Sequence, residues 1–365
     1  CKKYVMNIDE LYRKITSPGS PLCYPFCYDD KDFDYLDYVA SLIKLYIEEV
    51  TKLDEESLNS LNHVFDDLPQ DFKQSRDFDF KRDVRDIANL VLDVLQTSFK
   101  CYHEEAYEKL KFFFIADHFF YLGMLPQLEV DDRSGCFYRI RQDKIDLSKG
   151  DGELFHIPFD KRHLVSAQRY SIPGYPALYL GGDFFTSWCE MNRPKLEGLS
   201  YAKFKFKKQF RFLDLGLPYK EDSTLWEKYS LCAMYPLLMA CMVRVKFANA
   251  AFKPEYLMPQ MMMKLVRDNG AHLQGIAYMS NKMPTKSDSY SWASRNLVVC
   301  VYNTLCKSGY DKDLASKMQM TKIKSVTKEQ VDEAIVYDRK IYAINFSSLV
   351  SADDDFHDID VPMVL

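Results

Sequence analysis

The features that most quickly declare a protein's chemistry are missing from this sequence. It has 13 glycines in 365 residues. None falls into Gly-x-Gly-x-x-Gly, Gly-x4-Gly-Lys-Ser/Thr or Gly-x-Ser-x-Gly, so dinucleotide-fold, P-loop and α/β-hydrolase readings lose their usual support. The histidines at 63, 103, 118, 156, 163, 272 and 357 show no two-histidine metal spacing. An excess of one charge is lacking too: 48 Lys and Arg against 53 Asp and Glu leave a net charge of −5. That balance argues against a surface built throughout for nucleic acid or anionic membrane. The longest nearly apolar run, Leu231 to Val243, contains a proline and falls short of the roughly 20 residues that cross a bilayer. The first ten residues hold no apolar core of signal-peptide length, and no repeat of fixed period is visible. The expectation is a cytoplasmic chain with no membrane partner.

What is present describes a folded protein. Apolar residues make up 47% and charged residues 28%, near the globular norm, and at roughly 150 residues per domain the length suggests about two domains. The ten cysteines are scattered, several inside apolar stretches, which fits reduced thiols acting as small hydrophobes. The sequence begins at Cys1 rather than at a methionine, so it reads as a piece of a longer one.

The chain is expected to be α+β, with an α-helical N-terminal domain ahead of a mixed-sheet domain. Residues 1–30 form a turn-rich opening segment with a possible cysteine cluster. Residues 31–125 carry helical periodicity: Leu36, Val39, Leu42, Ile43, Tyr46, Ile47 and Val50 form one apolar stripe, and 82–99 and 105–125 follow as helices. A polar stretch with breakers at 125–135 marks a boundary. Beyond it, 130–346 reads as the second domain. Its expected strands are 137–141, 177–180, 202–213, 273–279, 296–302 and 340–344, and its expected helices are 184–191, 225–245 and 254–267. The acidic stretch within 347–365 is expected to be a solvated tail.

Several constellations have plain readings. Cys23-Tyr-Pro-Phe-Cys27 has the spacing of half a zinc site, and a full site would need Cys1 plus a fourth ligand from a preceding segment; ordinary cysteines are favoured and no metal is expected. Arg267 and His272 match an Arg-x4-His spacing by chance. Lys203, Lys205, Lys207 and Lys208 alternate with Phe204, Phe206 and Phe210, as on an edge strand guarded by lysine. Met258, Met261, Met262 and Met263 are expected to be core filler.

The segment from Leu154 to Glu190 is the informative one. Its Gln168-Arg-Tyr-Ser-Ile-Pro-Gly174 run, its Leu178-Tyr-Leu-Gly181 strand end and its Trp188-Cys-Glu190 opening the following helix resemble the RES family. Lys253-Pro-Glu-Tyr-Leu-Met-Pro-Gln260, Gln274-Gly-Ile-Ala-Tyr-Met-Ser280 and Arg295-Asn-Leu-Val-Val299 resemble that family's second half. The resemblance covers roughly residues 137 to 345. The helical region with Cys23 and Cys27 is similar, more loosely, to the HEPN-like extension that accompanies some RES domains.

RES domains are bacterial toxin-type domains with an ADP-ribosyltransferase-like fold. The resemblance implies that the chain binds NAD as its substrate and cleaves the nicotinamide glycosidic bond by hydrolysis or phosphorolysis. ADP-ribosylation of a protein target and a non-catalytic nucleotide-binding module are the alternatives. Carried over by motif, the catalytic residues are Glu190, Arg169 and Ser280. The NAD-binding residues are Arg169, Tyr179, Ser280 and Arg139, the last an additional arginine on the first strand. The implied protein partner is an antitoxin. The residue types suit the chemistry: a carboxylate stabilises an oxocarbenium-like ribose, a guanidinium takes phosphate oxygens or orients the ribose, a phenol ring faces the cationic nicotinamide, and a hydroxyl fixes the ligand.

Overall fold

The computed structural model describes residues 4–17, 19–28, 34–64, 79–116, 125–142, 145–216, 222–268, 273–282, 295–302, 306–338, 341–344, 349–350 and 355–361. The expectations resting on Cys1, on His272 and on residues 351–354 of the acidic stretch lie outside them. The chain is α+β and divides into two compact units, one of residues 1–126 with 215–262, the other of 127–214 with 263–365.

The first unit is helical. Its elements are α1 (Ile8–Thr16), α2 (Tyr35–Val50), α3 (Glu55–Asn62), α4 (Phe80–Phe99), α5 (His103–Ala116) and, after the chain returns, α7 (Leu225–Met242). The starts are set by side-chain caps: Asn7, Asp34, Asp54 and Asp79 each accept a first-turn N–H, which satisfies a donor the helix itself cannot. Thr224 and Glu227 close a reciprocal capping box ahead of α7.

The apolar run that is too short for a membrane becomes α7, buried from Tyr229 to Met242, as expected of a helix apolar on all sides. Pro236 lies inside it and has no N–H for the carbonyl of Cys232. The Tyr46 hydroxyl donates to that carbonyl instead. Tyr35 donates at 2.8 Å to the carbonyl of Ala240, one of the last four that no helical N–H reaches.

The second unit is built on a mixed sheet. Its strands are β1 (Gln127–Val130), β2 (Phe137–Arg141), β3 (Ala177–Gly181), β4 (Ser200–Phe206), β5 (Phe210–Asp214), β6 (Gly275–Met279), β7 (Arg295–Cys300), β8 (Met318–Thr321), β9 (Lys324–Ser325) and β12 (Phe356–Asp358). They run in the order β1-β5-β6-β7-β3-β2-β4-β8-β12, with β9 also on β4. Only the β5–β6 pairing is parallel among them. The strands β10 (Ile335–Asp338) and β11 (Ile341–Ile344) form a separate antiparallel pair. Short helices α6 (Phe184–Glu190), α9 (Lys312–Ser316) and α10 (Lys328–Ala334), the longer α8 (Leu257–Asp268) and 3-10 turns at Leu147–Glu153, Phe159–Leu164 and Pro254–Tyr256 complete the described elements; the division between units falls within α8.

Alternation along the strands builds the core. Phe137, Leu178, Leu180, Ala202, Phe204, Phe212, Ala277, Leu297 and Val299 share one cluster, each exposed by 2% or less. A smaller cluster of Ile140, Phe184, Leu199, Tyr201 and Val326 gathers where α6 packs. At Gly275 a Cβ would strike the Val298 carbonyl and the Phe212 ring, so β5, β6 and β7 close up only around a glycine.

Three expectations are corrected here. The run 202–213 is not one strand: Lys207 to Gln209 break it, and its halves join opposite parts of the sheet. The lysine-bearing strand β4 is interior, between β2 and β8, and its lysines, with Lys207 just after it, are accommodated by aromatic and acidic neighbours. Lys205 lies 4.4 Å from the Phe356 ring centroid, Lys203 5.9 Å from that of Tyr138, and Lys207 pairs with Asp358 at 2.8 Å. Finally, the acidic C-terminal stretch is not wholly a solvated tail. Phe356–Asp358 pairs with β8, His357 reaches Asp151 at 2.9 Å and Ile359 enters the core. The four methionines of 258–263 are buried, as core filler would be.

Candidate functional site

The sheet of the second unit is two ladders that meet at a single registered pair. β2 and β3 are joined through Tyr138 and Gly181, whereas β2 pairs with β4, and β3 with β7, over five residues each. Past that pair β2 and β3 part. Arg139 reaches over the seam and donates from Nη1 to the carbonyl of Tyr179 at 3.0 Å. Burial, with Arg141 adding to the effect, lowers the Arg139 guanidinium to about 10; it stays cationic at neutral pH.

Gly181 lies at the meeting point for a steric reason: a Cβ there would collide with Ser187 Oγ. The bare backbone lets α6 settle on the strand end. The helix starts because Asp183 accepts the N–H of Thr186 at 2.6 Å, and Ser187 Oγ ties it to the carbonyl of Asp183 at 2.9 Å. Trp188-Cys-Glu190 therefore ends this helix rather than opening it. The difference matters electrostatically, because a carboxylate at a helix C-terminus faces the negative end of the peptide dipoles.

Neighbouring donors hold Glu190 in that position. The Asn296 side-chain amide donates to Glu190 Oε1 at 2.8 Å, and Lys282 Nζ donates to the Glu190 carbonyl. Asn296 is 3% exposed, between Arg295 and the apolar run Leu297, Val298 and Val299, and it lies opposite both Gly181 on β3 and Tyr278 on β6. By alternation, Tyr179, Gly181, Asn296 and Tyr278 share one face of the sheet.

Tyr278 is the hub of this face. Its ring lies 4.7 Å from that of Tyr170. Its hydroxyl is raised well above the usual tyrosine range by burial first, then by Glu190, Tyr179 and Tyr170, while Arg169 opposes them. Glu190, Tyr179 and Arg169 therefore lie near enough to Tyr278 for their charges to act on its hydroxyl. Arg139, at the seam, shares the alternation of Phe137 and lies on the opposite face. Ser280, 1% exposed, follows β6 and accepts the N–H of Lys282 at 3.3 Å. Lys282 in turn is held through its carbonyl by Arg193 at 2.8 Å.

Asn296, Tyr278 and Lys282 stand around Glu190 in this candidate site, and motif reading passes over them. A buried amide at the start of an apolar strand run was the available signal for Asn296, since such a group is placed there only with a partner.

Other candidates are separate from this arrangement. Cys23 is buried and Cys27 exposed, burial pushes the Cys23 thiol up to about 11, and no group of three or more His, Cys, Asp or Glu able to hold a metal lies among the described residues. His156 is a core histidine. Its Nδ1–H donates to the Ile157 carbonyl and its Nε2 accepts the N–H of Asp311, each at 2.8 Å. Desolvation lowers it to about 4. No described helix is long and apolar enough to cross a membrane.

No family model matches the chain, and no solved structure matches it. A stretch of 162 residues is 32% identical to a protein of Bacillus subtilis (strain 168) described as "Putative toxin YopC"; the match covers 40% of this chain and 36% of that protein's length.

Proposed function

We propose that this chain is a toxin-like protein of RES type that binds NAD and cleaves its nicotinamide glycosidic bond. The observation that carries the reading is the fixed carboxylate: Glu190, at a helix C-terminus, is held by a buried amide beside Tyr278, Tyr179 and Arg169. A carboxylate whose orientation is fixed by a buried strand amide is suited to stabilising a developing positive charge. The similarity to the Bacillus subtilis protein supports the toxin-like role. A sheet of two ladders meeting at one pair, with an arginine in the seam, is consistent with an ADP-ribosyltransferase-like fold.

In the reaction, the bond between C1′ of the ribose and the pyridinium nitrogen breaks. Its electron pair neutralises the nicotinamide, and positive charge spreads over C1′ and the ring oxygen. Glu190 would accept a hydrogen bond from a ribose hydroxyl and stabilise that charge as it develops. Asn296 acts through Glu190 and is a positioning residue. Tyr179 would offer its face to the cationic ring, Arg169 would take phosphate oxygens or orient the ribose, and Ser280 would fix the ligand by one hydrogen bond; Arg139, on the opposite face, would act only by holding the Tyr179 carbonyl. Water or phosphate attacks C1′ from the vacated side and loses its proton to solvent. An antitoxin that covers this face is the partner that the reading entails.

The test is nicotinamide release by the purified chain and by Glu190→Ala. The variant should keep its fold and lose release; turnover equal to that of the wild type would remove Glu190 from the chemistry.

A further inference from the structure

A buried phenol normally gives its proton to a nearby acceptor, because an unmade bond in a water-poor place leaves the group's desolvation uncompensated. Four buried tyrosines of the first unit follow that rule. Tyr35 and Tyr46 donate to main-chain carbonyls, and Tyr28 and Tyr229 donate to the carboxylates of Glu255 and Asp83 at 2.6 and 2.5 Å. Tyr278 departs from it. It is 8% exposed, its ring rests 4.7 Å from that of Tyr170, and among the described residues its hydroxyl makes no hydrogen bond.

An acceptor stands close by without taking that proton. Tyr278 on β6 is directly opposite Asn296 on β7, which sets their Cβ atoms about 4.5–5.5 Å apart on one face, and Asn296 holds Glu190 Oε1 at 2.8 Å. Glu190 Oε2 makes no hydrogen bond among the described residues. The carboxylate adds to the effect of burial in raising the Tyr278 hydroxyl well above the usual tyrosine range, so the phenol keeps its proton. Donor and acceptor thus adjoin the same residue without bonding to each other. A group that accepts one hydrogen bond and donates another would satisfy both. A hydroxyl does so from a single oxygen, whereas a phosphate oxygen only accepts and an ammonium only donates.

We propose that Tyr278 is a ligand-binding residue of this site: its hydroxyl donates to the oxygen of a ligand hydroxyl, whose own proton is shared with Glu190. Naming the ribose of NAD as the bearer of that hydroxyl rests on the reading above; the hydroxyl chemistry does not.

The experiment is calorimetric titration of the full chain with ADP-ribose, which carries the ribose hydroxyls and no nicotinamide. Wild type should bind it. Tyr278→Phe keeps the ring beside Tyr170 and removes only the hydroxyl; it should weaken binding about tenfold, the scale of one hydrogen bond. Its melting temperature without ligand should be unchanged or higher, since no internal bond is lost. Because both groups hold one hydroxyl, the double variant with Glu190→Gln should lose less affinity than the two single losses multiplied together. No binding by the wild type, equal affinity in Tyr278→Phe, a fully multiplicative double variant or a lowered melting temperature each overturns the proposal. Intact NAD together with Tyr278-dependent ADP-ribose binding would sink the cleavage reading and keep the role of Tyr278. Nicotinamide release with kcat and KM unchanged in Tyr278→Phe would do the reverse.

Discussion

The two faces of the mixed sheet come from the same strands and differ in what they can do. On one face Phe137, Leu178, Leu180, Phe204, Phe212, Leu297 and Val299 are buried in a continuous apolar cluster. On the other, the neighbours one residue along are Tyr138, Tyr179, Gly181, Tyr278 and Asn296, with Glu190 held above them. A strand turns successive side chains to opposite sides, so one short segment packs on one side and presents polar groups on the other. The apolar face supplies a rigid, low-dielectric support on which the few polar groups of the other act strongly. A polar residue on the first face needs an internal partner, and Asp214 with Arg295 is such a pair, at 3.0 Å with side chains 3% and 7% exposed.

Breaking the packing face should cost the most stability. Phe204→Ala, at a fully buried site, is expected to destabilise the second unit by about 3–5 kcal/mol. Asp214→Ala, which leaves Arg295 buried without its acid, should cost a similar ~3–5 kcal/mol. Denaturant unfolding of each variant checks both, and a midpoint equal to that of the wild type would contradict the division of labour between the faces.

The pH dependence should follow the packing side as well. His156 is lowered to about 4 in the fold, whereas an unfolded histidine titrates near ~6.5. The unfolded chain therefore binds the extra proton between those values. The stabilisation is complete above pH ~6.5 and is lost as pH falls toward 4, a change of about 3 kcal/mol. Protonating Nε2 would also set an N–H against the N–H of Asp311. Unfolding at pH 7 and pH 5 should show the loss in the wild type and a smaller one in His156→Asn.

The smallest expected effect lies on the chemical face. Asn296→Ala removes the donor to Glu190 Oε1 and should lower kcat about tenfold, the scale of one mispositioned hydrogen bond, with KM little changed. A fall in melting temperature with unaltered kcat would make Asn296 structural.

Much of this was legible before the structure. The 3.6 period of 35–53 and 82–99 and the alternation of 137–141 and 177–180 gave elements within a few residues, because each buries one face. The break at Lys207 to Gln209 was hidden because alternation continues through it. The interior place of β4 was hidden as well, because lysines whose stems lie over aromatic rings look like edge lysines in sequence. Of the site, Arg169, Tyr179, Glu190 and Ser280 came from motif resemblance. Asn296 and Tyr278 did not, since their importance lies in strand register, which pairs residues far apart in the chain. The end position of Glu190 on α6 depended on Asp183 being the cap, a choice among several acidic and hydroxyl residues nearby.

The most direct measurement is to mix the purified chain with NAD, with and without phosphate, and to follow nicotinamide and the ribosyl product by chromatography. The account expects nicotinamide to appear, at a rate lowered about a hundredfold or more by Glu190→Gln, with the second product naming water, phosphate or a protein as the acceptor. NAD left intact by a folded chain at every phosphate concentration would contradict it.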